Sequence, residues 1–211
     1  MKQARKPGRP SSKTIDVPTA DKILRVASRL FMEKGFDGVS TDAVAQASGV
    51  TKAMVYYYFS SKSELFTAAV VHMMDVIRQR TLEILSRNEP LYNRLLTIAT
   101  ARLSAPRPNR NVEAAMHTAS QMLSNEQMAK MKQAEEQLME VITKEFEKET
   151  ERMGEARVDP VVAASLFIQV MNGAEHHRNR LPEDKQAANQ VAKDIVDLFW
   201  YGLSPRSKNP P

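Results

Sequence analysis

The residues best equipped for chemistry stand together at positions 51–65, TKAMVYYYFSSKSEL. Three tyrosines and a phenylalanine follow one another in a chain whose aromatic content is only 6%. Neighbours on a helix lie about 100° apart, so four consecutive aromatics cannot all face one core. Some of these rings must point outward. A phenol is a rigid body with a hydrogen-bond donor at its tip, and such side chains supply positioning contacts along a phosphate backbone. Lys52, near the start of the same helix, can reach a phosphate or a guanine edge. Thr51 can cap the helix and offer its N-terminal amides to a phosphate. Lys62, at the start of the following helix, can hold another.

Other chemistries find little support. The chain has no cysteine, which excludes disulfides, zinc–thiolate sites and cysteine nucleophiles. His176 and His177 are adjacent, and side chains 100° apart on a helix make a poor chelate; His72 and His117 lie far away in sequence. No cluster of acids and no nucleophile–base pair stands out. The expectation is a protein that is not an enzyme, with no catalytic residue, no metal and no cofactor.

Charge adds a direction. Residues 1–60 carry ten basic and five acidic side chains, whereas residues 61–211 carry twenty of each, so the net charge of +5 lies in the first 60 residues. A local basic excess is a footprint for a polyanion, nucleic acid first among them, although a solubilising tail would read the same way. No apolar run reaches the roughly 18 residues needed to span a bilayer, and no signal-peptide core follows the basic N-terminus. A soluble, cytoplasmic protein is expected.

These side chains need elements to position them. Residues 1–18, basic and rich in Pro, Gly and Ser, read as a flexible arm. TADKILRVASRLFMEKG reads as a helix capped by Thr19, with an apolar stripe of Ile23, Ala27, Leu30 and Phe31 and a terminating Gly35. A short helix over VSTDAVAQASG is capped by Ser40 or Thr41 and closed by Gly49. A third begins at Thr51, and Ser60-Ser61 break it and cap the next. On the third helix Val55 and Phe59 share the inward face, Tyr57 packs its ring, and Lys52, Met54 and Tyr56 lie off that face. Short helix, glycine turn and short helix over residues 40–59 is the layout of a helix-turn-helix, whose second helix enters the major groove. The rest reads as long helices: Lys62 to about Ser86, Pro90 to about Leu103, 112–123, 125 to about 153, Pro160 onward, and Pro182 to about Tyr201.

The string ILRVASRLFMEKGFDGVSTDAVAQASGVTKAMVYYYFSSKSEL, residues 23–65, resembles the TetR family of bacterial transcriptional regulators. It follows the pattern A-x-x-L-F-x-x-x-G-[FY], then T-x-x-x-[IV]-A-x-x-[AS]-G-V-[ST]-x-x-x-[LVI]-Y-x-[YH]-F-x-[SN]-K-x-x-L, at almost every position. The resemblance implies an all-α fold of about nine helices. An N-terminal three-helix helix-turn-helix domain, 19–66, would be followed by a larger ligand-binding and dimerisation domain, 67–204, and a C-terminal tail, 205–211. It also places Thr41, Lys52, Ala53, Met54, Tyr56, Tyr58 and Lys62 where family members touch operator DNA, with Val55, Tyr57 and Phe59 at packing positions. Asp42 departs from the family's frequent basic or neutral residue. Ala53 and Met54 can meet a thymine methyl but form no bidentate hydrogen bond, so DNA shape must supply part of the specificity.

The stretch RKPGRP resembles a minor-groove hook in which Arg9 would be inserted; Pro7 stands where the hook has an arginine, and a tail giving only long-range attraction is the alternative. The family forms homodimers through its last two helices. Here these present Phe167, Val170, Met171, Ala174, Val196, Phe199 and Trp200, on stripes wider than one core contact needs. The remaining helices of the family enclose a pocket. Arg102, Met116, His117, Met122, Phe167, Met171, Asn172, Glu175 and His176 are its candidate lining, adaptable methionines beside polar groups on apolar helices. The implied function is a homodimeric repressor on a palindromic operator, released by a small-molecule effector. An effector-independent DNA-binding or architectural protein is the alternative.

Overall fold

A computed structural model describes residues 17–104, 119, 121–154, 158–176 and 185–203. The described residues are all-α. The helices are α1 (Val17–Lys34), α2 (Thr41–Ser48), α3 (Lys52–Tyr58), α4 (Lys62–Leu85), α5 (Leu91–Ser104), α6 (Asn125–Met153), α7 (Pro160–His176) and α8 (Lys185–Leu203). The helix expected over 112–123 falls largely outside the described residues, as do the N-terminal arm with Arg9 and the C-terminal tail.

Local chemistry sets the boundaries. Gly35 (φ 74°) ends α1 with its N–H on the Phe31 carbonyl at 2.9 Å. The Ser40 hydroxyl accepts from the Ala43 amide to start α2, and Gly49 (φ 64°) closes it in the left-handed region that glycine enters without a Cβ penalty. Ser61 caps α4 by accepting from the Glu64 amide. Ser124 and Gln127 form a reciprocal capping box at the start of α6. Asp159 accepts from the Val161 and Val162 amides, just before Pro160 opens α7.

Two apolar clusters result. In the first, Phe66 meets Phe31 and Phe36 edge to face, its ring centred 5.0 Å from Phe31 and 5.2 Å from Phe36. Ile23, Val44, Val55 and Leu65 pack around them, so α1–α3 and the start of α4 share one core. That core also takes in Ala119 and Met131, with Leu123 against it. Body residues thus fill the N-terminal unit. The second cluster joins α5, α6, α7 and α8 through Leu95, Ala99, Ile142, Phe146, Phe167 and Phe199.

Helix α4 belongs to both units and lies against α1 at one end and α6 along its length. The Arg94 guanidinium on α5 fastens its far end, donating to the Leu85 carbonyl and to the Glu145 carboxylate on α6. The Tyr92 hydroxyl donates to Asp197, pinning α5 to α8, and that bond holds the phenol above its ordinary pKa. No helix among the described residues is long and apolar enough to cross a membrane.

Candidate nucleic-acid interface

Helices α2 and α3 meet at a sharp turn, and two links between them fix how α3 presents its side chains. Val55 is fully buried and Phe59 nearly so, which anchors the inner face of α3. The Thr51 hydroxyl accepts from the Met54 amide at 3.2 Å and caps the helix. The Thr41 hydroxyl donates to the Tyr56 phenol oxygen at 3.2 Å. The Lys52 ammonium donates to the Asp42 carboxylate at 2.7 Å. That hydrogen bond, reinforced by the carboxylate's charge, raises the Lys52 pKa above its ordinary value.

The outer face of α3 is therefore a defined set. Lys52, Ala53, Met54, Tyr56 and Tyr57 are exposed together. Thr41 is buried under this face rather than on it, and acts on the surface through Tyr56. Lys62 sits beside it, its ammonium 4.5 Å from the centre of the Phe36 ring, a cation–π contact that directs the side chain while leaving it partly exposed.

One tyrosine lies on the face opposite to the one expected of it. Tyr57 was expected to pack its ring, yet it is 58% exposed, whereas Tyr58 is half-buried against the N-terminal core. Two residues past Val55 means a rotation of about 200°, which is the opposite face; three residues means about 300°, which returns to its flank. The two rings meet edge to face at 5.2 Å, so Tyr58 supports Tyr57.

The candidates in the body separate. Arg102 on α5 donates to the Asn172 side chain on α7 at 2.6 Å, and Phe167 and Met171 lie buried on the same helix as Asn172. Met122 does not join them. It is exposed on the turn before α6, where its carbonyl faces the Ser63 hydroxyl at the start of α4. Met116, His117 and the side chains of Glu175 and His176 lie outside the described residues.

The dimer candidates also need correction. Phe167, Met171, Val196 and Phe199 are buried within the single chain, with the Phe167 and Phe199 rings 5.5 Å apart. They are intramolecular core. Of the seven residues expected at the interface, Val170 is exposed and Ala174 and Trp200 are half-buried. The apolar side chains left uncovered on these helices are Val161, Val162, Leu166 and Val170 on α7, and Leu198 and Tyr201 on α8. The wheel placed apolar residues on a face without saying which of two apolar faces turned inward.

Comparison with known proteins matches this geometry. Residues 23–69, which span α1 to the first part of α4, fit the family model of bacterial regulatory proteins, tetR family. The chain carries a TetR-family DNA-binding domain. Over 73 residues the chain is 33% identical to the biofilm operon icaADBC HTH-type negative transcriptional regulator IcaR of Staphylococcus aureus (strain Newman). That alignment covers 35% of this chain and 38% of IcaR. Among solved structures, a transcriptional regulator of the TetR/AcrR family from Thermobifida fusca is 26% identical, with a TM-score of 0.60, covering 89% of this chain and 100% of that one. The transcriptional regulator FadR from Bacillus subtilis, in complex with stearoyl-CoA, shares the fold at 12% identity and a TM-score of 0.69, covering 87% and 98%. The TetR-type fold thus extends past the matched domain through the helical body.

Proposed function

We propose that this protein is a transcriptional repressor that binds a palindromic operator as a homodimer and is released from it by a small-molecule effector. The observation that carries the reading is the outer face of α3. Lys52, Ala53, Met54, Tyr56 and Tyr57 stand exposed on one short helix that is braced from behind by Thr41, Val55 and Phe59. In this reading α3 enters the major groove, Lys52 and Tyr56 contact the operator, and Lys62 meets a flanking phosphate.

Dimerisation is supported by the uncovered apolar strip Val162, Leu166 and Val170, spaced four apart along α7, with Leu198 and Tyr201 uncovered on α8. Two copies joined there would present two α3 helices to successive major grooves. Release by an effector is supported by Arg102 and Asn172, a polar pair joining α5 to α7, the helix that also buries Phe167 and Met171 in the body. A protein of the same fold is described in complex with stearoyl-CoA. Body residues Ala119 and Met131 pack inside the N-terminal core and so tie the helical body to α1–α4.

The test is release. With the operator duplex labelled, a panel of acyl thioesters and small aromatic compounds is titrated against the complex and anisotropy is followed. A compound that lowers anisotropy for wild type and loses that effect in Arg102→Ala supports the reading. Release unaffected by that substitution contradicts this placement of the effector site.

A further inference from the structure

The helix-turn-helix is electrically neutral, and its two charged residues are locked together. Residues 40–59 contain one acid, Asp42, and one base, Lys52. They lie ten residues apart on different helices, yet their side chains meet at 2.7 Å on the open face. An acid beside a DNA-reading helix ought to weaken binding unless it has a task.

We propose that Asp42 is a specificity-determining residue, which holds Lys52 as a directed donor for a neutral base edge and withholds it from phosphate. The inference rests on the DNA-binding reading above. An ammonium has three N–H donors, and one is committed to Asp42. The remaining donors suit O6 or N7 of a guanine, acceptors that carry no net charge. A phosphate brought to the same ammonium also meets the Asp42 carboxylate, and the two anions repel. Lys52 therefore contributes little on random DNA, where phosphate contacts supply essentially all the affinity. The rest of the outer face agrees with this division. Ala53 and Met54 offer only apolar contact, and Tyr56 and Tyr57 bring phenol rings and hydroxyls rather than a cation. Sequence-independent attraction is left to bases outside residues 40–59, such as Lys22, Arg29, Lys34 and Lys62.

The test compares full-length wild type, Asp42→Asn, Lys52→Gln and the double variant. Each is titrated by anisotropy against a selected operator duplex and a random-sequence duplex of equal length, across a series of KCl concentrations. Asparagine is isosteric at an exposed position; melting curves check folding, and Asp42→Ser serves as a second substitution. Asp42→Asn is expected to tighten random-duplex binding about 3–10-fold and to steepen the log–log salt slope by about one per chain. Operator binding should gain less, so the specificity ratio falls. In the Lys52→Gln background Asp42→Asn should change random binding little. An equal gain in both backgrounds means that Asp42 merely repels phosphate, and overturns the proposal, as does no gain at all. A wild type that binds neither duplex overturns the DNA-binding reading and this inference with it.

Discussion

The Thr41 hydroxyl donates to the phenol oxygen of Tyr56, 15 residues later, across the turn of the helix-turn-helix at 3.2 Å. The Tyr56 ring stands 45% exposed beside this bond, and its hydroxyl can also donate to a phosphate or base. Tyr56→Phe removes that donor and keeps the ring. Operator affinity is expected to fall about 3–10-fold, while stability falls by no more than about 0.5–1 kcal/mol, the net value of one partly exposed hydrogen bond. Anisotropy titration and urea unfolding separate the two.

Met131 belongs to the body in sequence and to the DNA-binding unit in packing, where it is 4% exposed. Met131→Ala leaves a cavity in that core and should cost about 2–3 kcal/mol, the lower part of the range for burial of this size. Differential scanning calorimetry should show the loss in one cooperative transition, because α4 and Met131 tie the two units together. A wild type that melts in two independent steps would contradict that coupling.

Arg94 and Glu145 are each mostly buried, with side chains 14% and 12% exposed. Burial works to raise the Glu145 pKa, but hydrogen bonds from Lys148 and Arg94 outweigh it, and the carboxyl ends below its ordinary value. A depressed carboxyl stabilises the fold above its unfolded pKa and loses that contribution as pH falls through the folded value. Arg94→Met should cost about 1–3 kcal/mol near neutrality, less than a fully buried pair because both groups touch water. Its stability should also decline less steeply than wild type between about pH 5 and 3. Urea midpoints across that range give the comparison.

Leu166 is 46% exposed in the middle of the uncovered α7 strip. Leu166→Glu places a charge where a partner chain would bury an apolar face, and should convert the proposed dimer to monomer with little change in monomer melting. Sedimentation velocity reads the mass. An unchanged dimer would move the interface elsewhere.

Much of this was legible because local rules govern it. Caps at Ser40, Thr51, Ser61 and Asp159, with glycines at 35 and 49, set helix boundaries from a few neighbouring residues. The exposed face of α3 was also legible apart from Tyr57, which lies about 200° from Val55 rather than beside it. The cross-helix contacts were not. Asp42–Lys52 and Thr41–Tyr56 join residues whose spacings obey no helical rule, and Arg94–Glu145 spans 51 positions. Four of the interface candidates lie in the intramolecular core because α7 and α8 are apolar on two faces, and only packing decides which one Phe167 and Phe199 occupy. Ala119 and Met131 carried no signal of joining the N-terminal core, since small or flexible apolar residues suit any interior.

Sequence-specific DNA binding through α3 is what the proposed repressor depends on. The direct measurement is selection of bound duplexes from a random DNA library by full-length wild type, repeated with Lys52→Ala and Tyr56→Ala. A palindromic motif is expected from wild type, with half-sites spaced by whole helical turns of about 10–10.5 base pairs. Both variants, still folded, are expected to lose or blur that motif. Enrichment of no motif by wild type, or of an unchanged motif by both variants, would contradict it.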